Sequence, residues 1–333
     1  MSKKTAVVIC PGRGTYQKNE FGCLKPFYDT PLLNQIDRVR ASMGLETVSA
    51  LDSADKYLPA RHQLPVNNAA LIYAAGLCQF NAINPDEYEV VAVTGNSMGW
   101  YTALSCAGVW DVDSGTEIMS AMAGLTANCQ GINGDVGGQL IYPVLNEHWQ
   151  PDATRLAAVA AVLQIPGMYR SIQYGGYAVL SGTTPAVKQA LAQLPPVDER
   201  FPMQLAGHSA FHSPLMQDAS DQALARFDAS YFNQPKLPLI DGQGHIWPDL
   251  PVNPELLRYY TFQSQVSSDY DFKTAVQVAV REFAPDQLIL LGPGTALGGA
   301  VAQSLIEINW HGLSSKADFV ALQESDSPFL LQL

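Results

Sequence analysis

Ser97 lies at the centre of Gly95-Asn96-Ser97-Met98-Gly99, a Gly-x-Ser-x-Gly pentad. The β-branched run Val90-Val91-Ala92-Val93-Thr94 leads into it, and Trp100-Tyr101-Thr102-Ala103-Leu104 leads out as a helix-forming run. The string alone is common. Between a strand and a helix it is the pattern of a nucleophile elbow, in which the glycines let backbones pack closely around a sharp turn. That turn presents the Ser97 hydroxyl at the mouth of a sheet and leaves the next N–H, on Met98, free to face an oxyanion. A serine hydroxyl is a weak nucleophile until a base takes its proton. Six histidines are available: His62, His148, His208, His212, His245 and His311. A lone histidine is more often a surface or hydrogen-bonded polar residue than a base. His148 falls in a charged stretch, His311 in the tail, and His62 follows Arg61 in a polar loop that reads as solvated. His245 lies close to Asp241, and His208 and His212 sit together in a loop before a helix.

Positioning these groups requires alternating strands and helices. Thr5–Cys10 reads as a first buried strand and ends in Pro11-Gly12-Arg13-Gly14-Thr15, a tight glycine loop that brings backbone N–H groups close to a ligand. A dinucleotide fingerprint needs a third glycine opening a helix and an acidic residue about 20 positions on, and neither is clear here. Residues 30–42, 66–80, 113–128, 217–229, 271–283 and 296–308 read as helices, and 237–241 and 287–291 as short strands. The 66–80 segment is rich in Ala and Leu, with few polar residues, and reads as largely buried. Between Gly131 and Pro196 the pattern changes to a glycine-rich loop, strands at 139–144 and 177–181, and helices at 149–163 and 184–194. This is the reading of a small α+β insert. The tail beyond 308 reads as irregular.

The chain has 333 residues, 47% hydrophobic, which suffices for a sizeable core and suggests about two domains. The alternation indicates an α/β class. A net charge of -12 argues against a nucleic-acid partner, since phosphate binding needs a basic surface. No apolar run approaches the ~20 residues of a membrane span. The five cysteines are scattered, with no metal-ligand spacing, and point to a reduced, cytoplasmic setting.

Four segments together resemble the malonyl-CoA:acyl carrier protein transacylase family, which also supplies acyltransferase domains of fatty-acid and polyketide synthases. They are Pro11-Gly12-Arg13-Gly14, Gly95–Leu104, Ser209-Ala210-Phe211-His212-Ser213-Pro214-Leu215-Met216, and Leu291-Gly292-Pro293-Gly294, in the order and spacing of that family from near residue 5 to near 310. The third is the most specific. The resemblance implies an α/β-hydrolase-like large subdomain, residues 1–131 and 201–333, interrupted by a ferredoxin-like small subdomain at 132–200. It implies that Ser97 attacks an acyl-CoA thioester with His212 as general base, and that the backbone N–H groups of Met98 and Arg13 hold the oxyanion. A phosphopantetheine thiol of an acyl carrier protein then takes the acyl group. In this family a backbone carbonyl orients the base, and the loop at Asp241 is where that carbonyl is expected. No cofactor or metal is implied, coenzyme A being a substrate, and a monomer is the family's default.

Three departures bear on the substrate. Arg13 stands where the family usually has Gln, and Asn96 and Trp100 stand where the elbow usually has His and Glu. Malonyl-specific members carry an Arg about 25 residues after the serine, paired bidentately with the substrate carboxylate. Here that region reads Met119-Ser120-Ala121-Met122-Ala123-Gly124, with Met122 at the matching position. A buried carboxylate without a partner costs several kcal/mol, so the expected donor is a non-carboxylated acyl group in a pocket formed by Met119, Met122 and Phe211. Those methionines read equally as helix core. The alternatives are relocation of the carboxylate site to Arg13, hydrolysis of stalled acyl thioesters on a carrier protein, a plain esterase using His311, and a non-catalytic docking subunit. Carrier docking calls for a local basic patch, with Lys188 or Arg200 as candidates.

Overall fold

The computed structural model describes residues 3–333. Its eleven strands are β1 Lys4–Cys10, β2 Tyr88–Gly95, β3 Gly138–Pro143, β4 Met168–Tyr174, β5 Tyr177–Gly182, β6 Met203–Gln204, β7 Leu239–Ile240, β8 Ile246–Trp247, β9 Tyr270–Asp271, β10 Gln287–Leu290 and β11 Leu330–Gln332. The larger sheet runs β11-β10-β1-β2-β7-β8, parallel throughout except for β7–β8. The smaller runs β6-β3-β5-β4-β9 and is antiparallel except for β4–β9. The fold class is therefore α/β with an additional α+β sheet, as expected.

Ala6 to Cys10 of β1 are fully buried, the signature of a central parallel strand covered on both faces. One cover is the helix Pro65–Ala82, twelve of whose residues are buried, Asn67 and Asn68 among them. Helix starts follow local chemistry. Thr30 caps Pro31–Ser42 by accepting from the Leu33 N–H, and Asp152 caps Ala153–Val162 by accepting from Thr154 and Arg155. That cap explains why the second helix begins later than its hydrophobic pattern suggests.

β4 was not legible in the sequence. A register shift between Arg170 and Ile172 breaks the two-residue alternation by which a strand is recognised. The tail is not irregular either: the helix Lys316–Gln323 is followed by β11, which pairs with β10 and forms a short edge strand of the larger sheet. All five cysteines are free thiols. No helix among the described residues is long and apolar enough to cross a membrane.

Candidate active site

β2 and β1 end side by side, with Cys10 opposite Gly95. The chain turns at residues 96–98 and the helix Gly99–Cys106 begins at once. A Cβ on Gly95 would lie 2.3 Å from the Gly99 carbonyl, and one on Gly99 would lie 2.3 Å from the Cys10 carbonyl oxygen. Only glycine fits at either position. Ser97 at the apex has φ 55°, left-handed and costly for a residue with a side chain, which holds its hydroxyl out from the sheet.

His212 also has φ 55°. Its Nε2 lies 2.6 Å from Ser97 Oγ, and its Nδ1 lies 2.6 Å from the backbone carbonyl of Gln265. A carbonyl only accepts, so Nδ1 carries the proton and Nε2 presents a lone pair to the serine. Burial pulls the His212 pKa down to about 4, opposed by the Gln265 carbonyl. The imidazole is therefore neutral at rest.

Gln265 can orient His212 because of where it sits. The helix Pro254–Tyr259 continues through a π turn, Tyr260–Ser264, into the last turn, Gln265–Ser267. Carbonyls of a last turn have no helical N–H to accept, so this one is free for a side chain. Three further bonds tie the segment to the elbow. Gln265 Nε2 donates to the Ser97 carbonyl at 2.9 Å, Tyr101 donates to Gln265 Oε1 at 3.2 Å, and Trp100 Nε1 donates to Thr261 Oγ1 at 3.1 Å. The unusual Trp100 thus clamps the helix that carries the orienting carbonyl.

Asp241 does not provide that carbonyl, which corrects the expectation. Its carboxylate caps its own turn, accepting from the Gln243 and His245 N–H groups and from Trp247 Nε1. Gln265 was missed because it lies in the polar run Gln263-Ser264-Gln265, which carries no motif. His62 is likewise not solvated. It is fully buried, with Nε2 2.9 Å from the Leu51 carbonyl and its ring stacked on Tyr57.

A cavity of about 550 Å³ opens between the two sheets. Ser97, His212, Met98 and Arg13 line it, as do Met119, Met122 and Phe211. The backbone N–H groups of Met98 and Arg13 meet no acceptor among the described residues. Asp241 and His311 are not in its lining. The smaller sheet contributes the apolar Ile141, Ile172 and Val179 to the cavity wall, together with Gln139 and Tyr174. Arg13 and Arg200 are its cations. The Arg13 guanidinium stands 4.9 Å over the Phe211 ring without an anionic partner among the described residues, and burial lowers its pKa to about 10. Arg200 is exposed at the rim, over the Phe201 ring.

No protein-family model matches the chain. A malonyl CoA-acyl carrier protein transacylase from Synechocystis is 23% identical over 297 residues, 84% of this chain and 94% of that protein. The crystal structure of a Synechocystis malonyl-CoA:ACP transacylase superposes with a TM-score of 0.74 at 19% identity, covering 99% of this chain and 97% of that one. The transacylase of Xanthomonas oryzae gives 0.73 at 20% identity, with 96% and 98% covered. A malonyl-transacylase crystallised with its type II polyketide acyl-carrier protein gives 0.71 at 19% identity, with 91% and 93% covered. In sequence and in fold, the chain is a relative of the malonyl-CoA:acyl carrier protein transacylases.

Proposed function

We propose that this protein is an acyltransferase that moves an acyl group from coenzyme A, through an ester on Ser97, to the phosphopantetheine thiol of an acyl carrier protein. The observation that carries the reading is the 2.6 Å approach of Ser97 Oγ to a His212 Nε2 whose other nitrogen is fixed on the Gln265 carbonyl. As Oγ adds to the thioester carbonyl, its proton passes to Nε2, and the oxyanion lies against the Met98 and Arg13 N–H groups. Collapse of the adduct breaks the C–S bond, and Nε2 returns the proton to the coenzyme A thiolate. The carrier thiol then gives its proton to Nε2 and attacks the Ser97 ester, and the serine regains its proton as it leaves. Residues 1–131 and 201–333 serve as the catalytic unit in this reading, and 132–200 as the insert that walls the cavity.

The acyl group is a non-carboxylated one. Met119 and Met122 are both buried on the helix Val112–Ala127 and line the cavity, whereas the buried Arg40 guanidinium that reaches the intervening Ser120 lies outside the lining and is taken up by the Glu46 and Val66 carbonyls and Asn67 Oδ1. Flexible thioethers accommodate a linear alkyl chain, whereas a carboxylate there goes unpaired. Hydrolysis of acyl carrier thioesters is the same chemistry with water as the second nucleophile. One observation favours a different donor: the unpaired Arg13 guanidinium in the same cavity suits a carboxylated acyl group held on the opposite side.

Mass spectrometry of the intact protein after exposure to acetyl-, butyryl-, octanoyl- and malonyl-CoA separates these readings. The expected result is acylation of Ser97 by the uncharged acyl groups and its transfer to holo acyl carrier protein. Preference for malonyl-CoA that disappears in Arg13→Gln would reverse the donor assignment. Acylation that survives Ser97→Ala or His212→Ala would overturn the mechanism.

A further inference from the structure

Two histidines face the cavity, and the mechanism uses only His212. His208 is held by a relay built into the smaller sheet. Ser171, fully buried on β4, donates to the Phe211 carbonyl at 2.8 Å. Gln139, on β3 and 2% exposed, directs its amide nitrogen to Ser171 Oγ at 2.6 Å and lies within 3.4 Å of the same carbonyl. That fixes the orientation of the Gln139 amide, so its Oε1 faces His208 Nδ1 at 2.8 Å. Oε1 only accepts, so Nδ1 carries the proton. His208 is neutral, since burial, with the positive charge of Arg13 second, drives its pKa down to about 3. Nε2 is therefore an unprotonated acceptor. It has no donor within the chain among the described residues, on a ring that lines the cavity beside Ser97 and packs edge-on against Phe211 at 5.6 Å.

We propose that His208 Nε2 accepts a hydrogen bond from an N–H or O–H of the bound thioester, and that the amide N–H of the pantetheine arm is the donor. This rests on the acyl-thioester reading of the cavity. The smaller sheet gives the cavity Ile141, Ile172 and Val179, and its polar members are engaged, Gln139 with Ser171 and His208 and the Tyr174 hydroxyl with the Ala296 carbonyl, so a pantetheine amide buried there needs a partner for its N–H. A hydroxyl on the acyl chain is the other source of the same chemistry. The polar relay thus sets a binding contact shared by donor and acceptor, because coenzyme A and the carrier protein both present a pantetheine arm.

The test uses the 333-residue chain and four probes: pantetheine itself, the N-acetylcysteamine thioesters of acetate and 3-hydroxybutyrate, and p-nitrophenyl acetate, which has no N–H. His208→Phe keeps an aromatic ring against Phe211 and removes the acceptor. His208→Gln retains both a donor and an acceptor. The expected result for His208→Phe is about a fivefold weaker Kd for pantetheine by calorimetry and an equal rise in KM for both thioesters, with kcat unchanged. Turnover of p-nitrophenyl acetate stays at the wild-type level, and His208→Gln recovers part of the loss. A KM rise confined to the 3-hydroxybutyryl thioester, with pantetheine binding unchanged, keeps the acceptor role and moves the donor to the acyl chain. Equal losses on p-nitrophenyl acetate, or a fall in kcat alone, would overturn the proposal and make His208 a support for His212. Unchanged pantetheine and thioester binding would also overturn it. The binding arm is independent of turnover: should no thioester acylate Ser97, the functional reading fails while His208 is still decided by calorimetry.

Discussion

In the proposed mechanism, the pH dependence of Ser97 acylation is set by how deeply His212 is buried. An ordinary histidine has a pKa near 6.5, and an enzyme relying on one loses its base as the pH falls through that value. In this protein burial lowers the His212 pKa to about 4, and the bond to the Gln265 carbonyl only partly restores it. At pH 5.5 an unperturbed imidazole is roughly one-tenth neutral, whereas one titrating near 4 is almost wholly neutral, about a tenfold difference in competent enzyme. The assay is single-turnover acylation by p-nitrophenyl acetate, read by stopped-flow from pH 8 downward, with folded fraction followed by circular dichroism in the same buffers. The rate is expected to stay flat to about pH 5 and to reach half its plateau near pH 4. Stability moves in the same direction. A group whose folded pKa is lowered binds its proton more tightly in the unfolded chain, so His212 and His208 destabilise the fold as the pH drops below about 6.5. For His212 alone the loss approaches about 3 kcal/mol at pH 4. The circular dichroism control therefore decides which acidic points report catalysis. A half-maximal rate near 6.5 in folded protein would refute the account of His212 as a buried, neutral base.

Two substitutions probe the frame around the pair. Gln265→Ala keeps the backbone carbonyl that holds Nδ1 but removes the side-chain bond to the Ser97 carbonyl and leaves the buried Tyr101 hydroxyl without its acceptor. Stability should fall by about 1–3 kcal/mol in urea melts while the acylation midpoint stays near pH 4; a midpoint that moves toward 6.5 would mean the side chain, not the carbonyl, sets the base. Gly99→Ala drives a Cβ to 2.3 Å from the Cys10 carbonyl, a backbone contact that cannot swing away. A loss of about 1–3 kcal/mol with slowed acylation is expected, and wild-type stability would show that the elbow is looser than its geometry.

What the sequence disclosed and what it hid follow the same physical division. Ser97 was legible because an elbow needs glycines at fixed offsets, and His212 because it travels in a compact string, Phe211-His212-Ser213-Pro214. β1, β2 and the long buried helix were legible because their apolar runs have the period of their structures. Gln265 was hidden because it acts through a main-chain carbonyl that every residue possesses. Its role comes from a π turn and a helix end, and neither leaves a side-chain signature. The loop at Asp241 was expected to supply that carbonyl only because the resemblance implied one there, and the Asp241 carboxylate instead accepts from the N–H groups of its own turn and from Trp247. β4 was hidden by its bulge, and β11 by its shortness. The relay from Ser171 through Gln139 to His208 spans two strands and a loop more than thirty residues away, so only the fold assembles it. Local rules thus single out the atoms proposed to react, while the groups that fix their protonation states and orientation are supplied by long-range contacts. Substitution at Gln265 leaves the carbonyl that holds His212 in place and bears on the packing of the elbow through its side chain, and substitution at Gln139 bears on the orientation of His208, whereas substitution at Ser97 or His212 removes the proposed reacting atoms themselves.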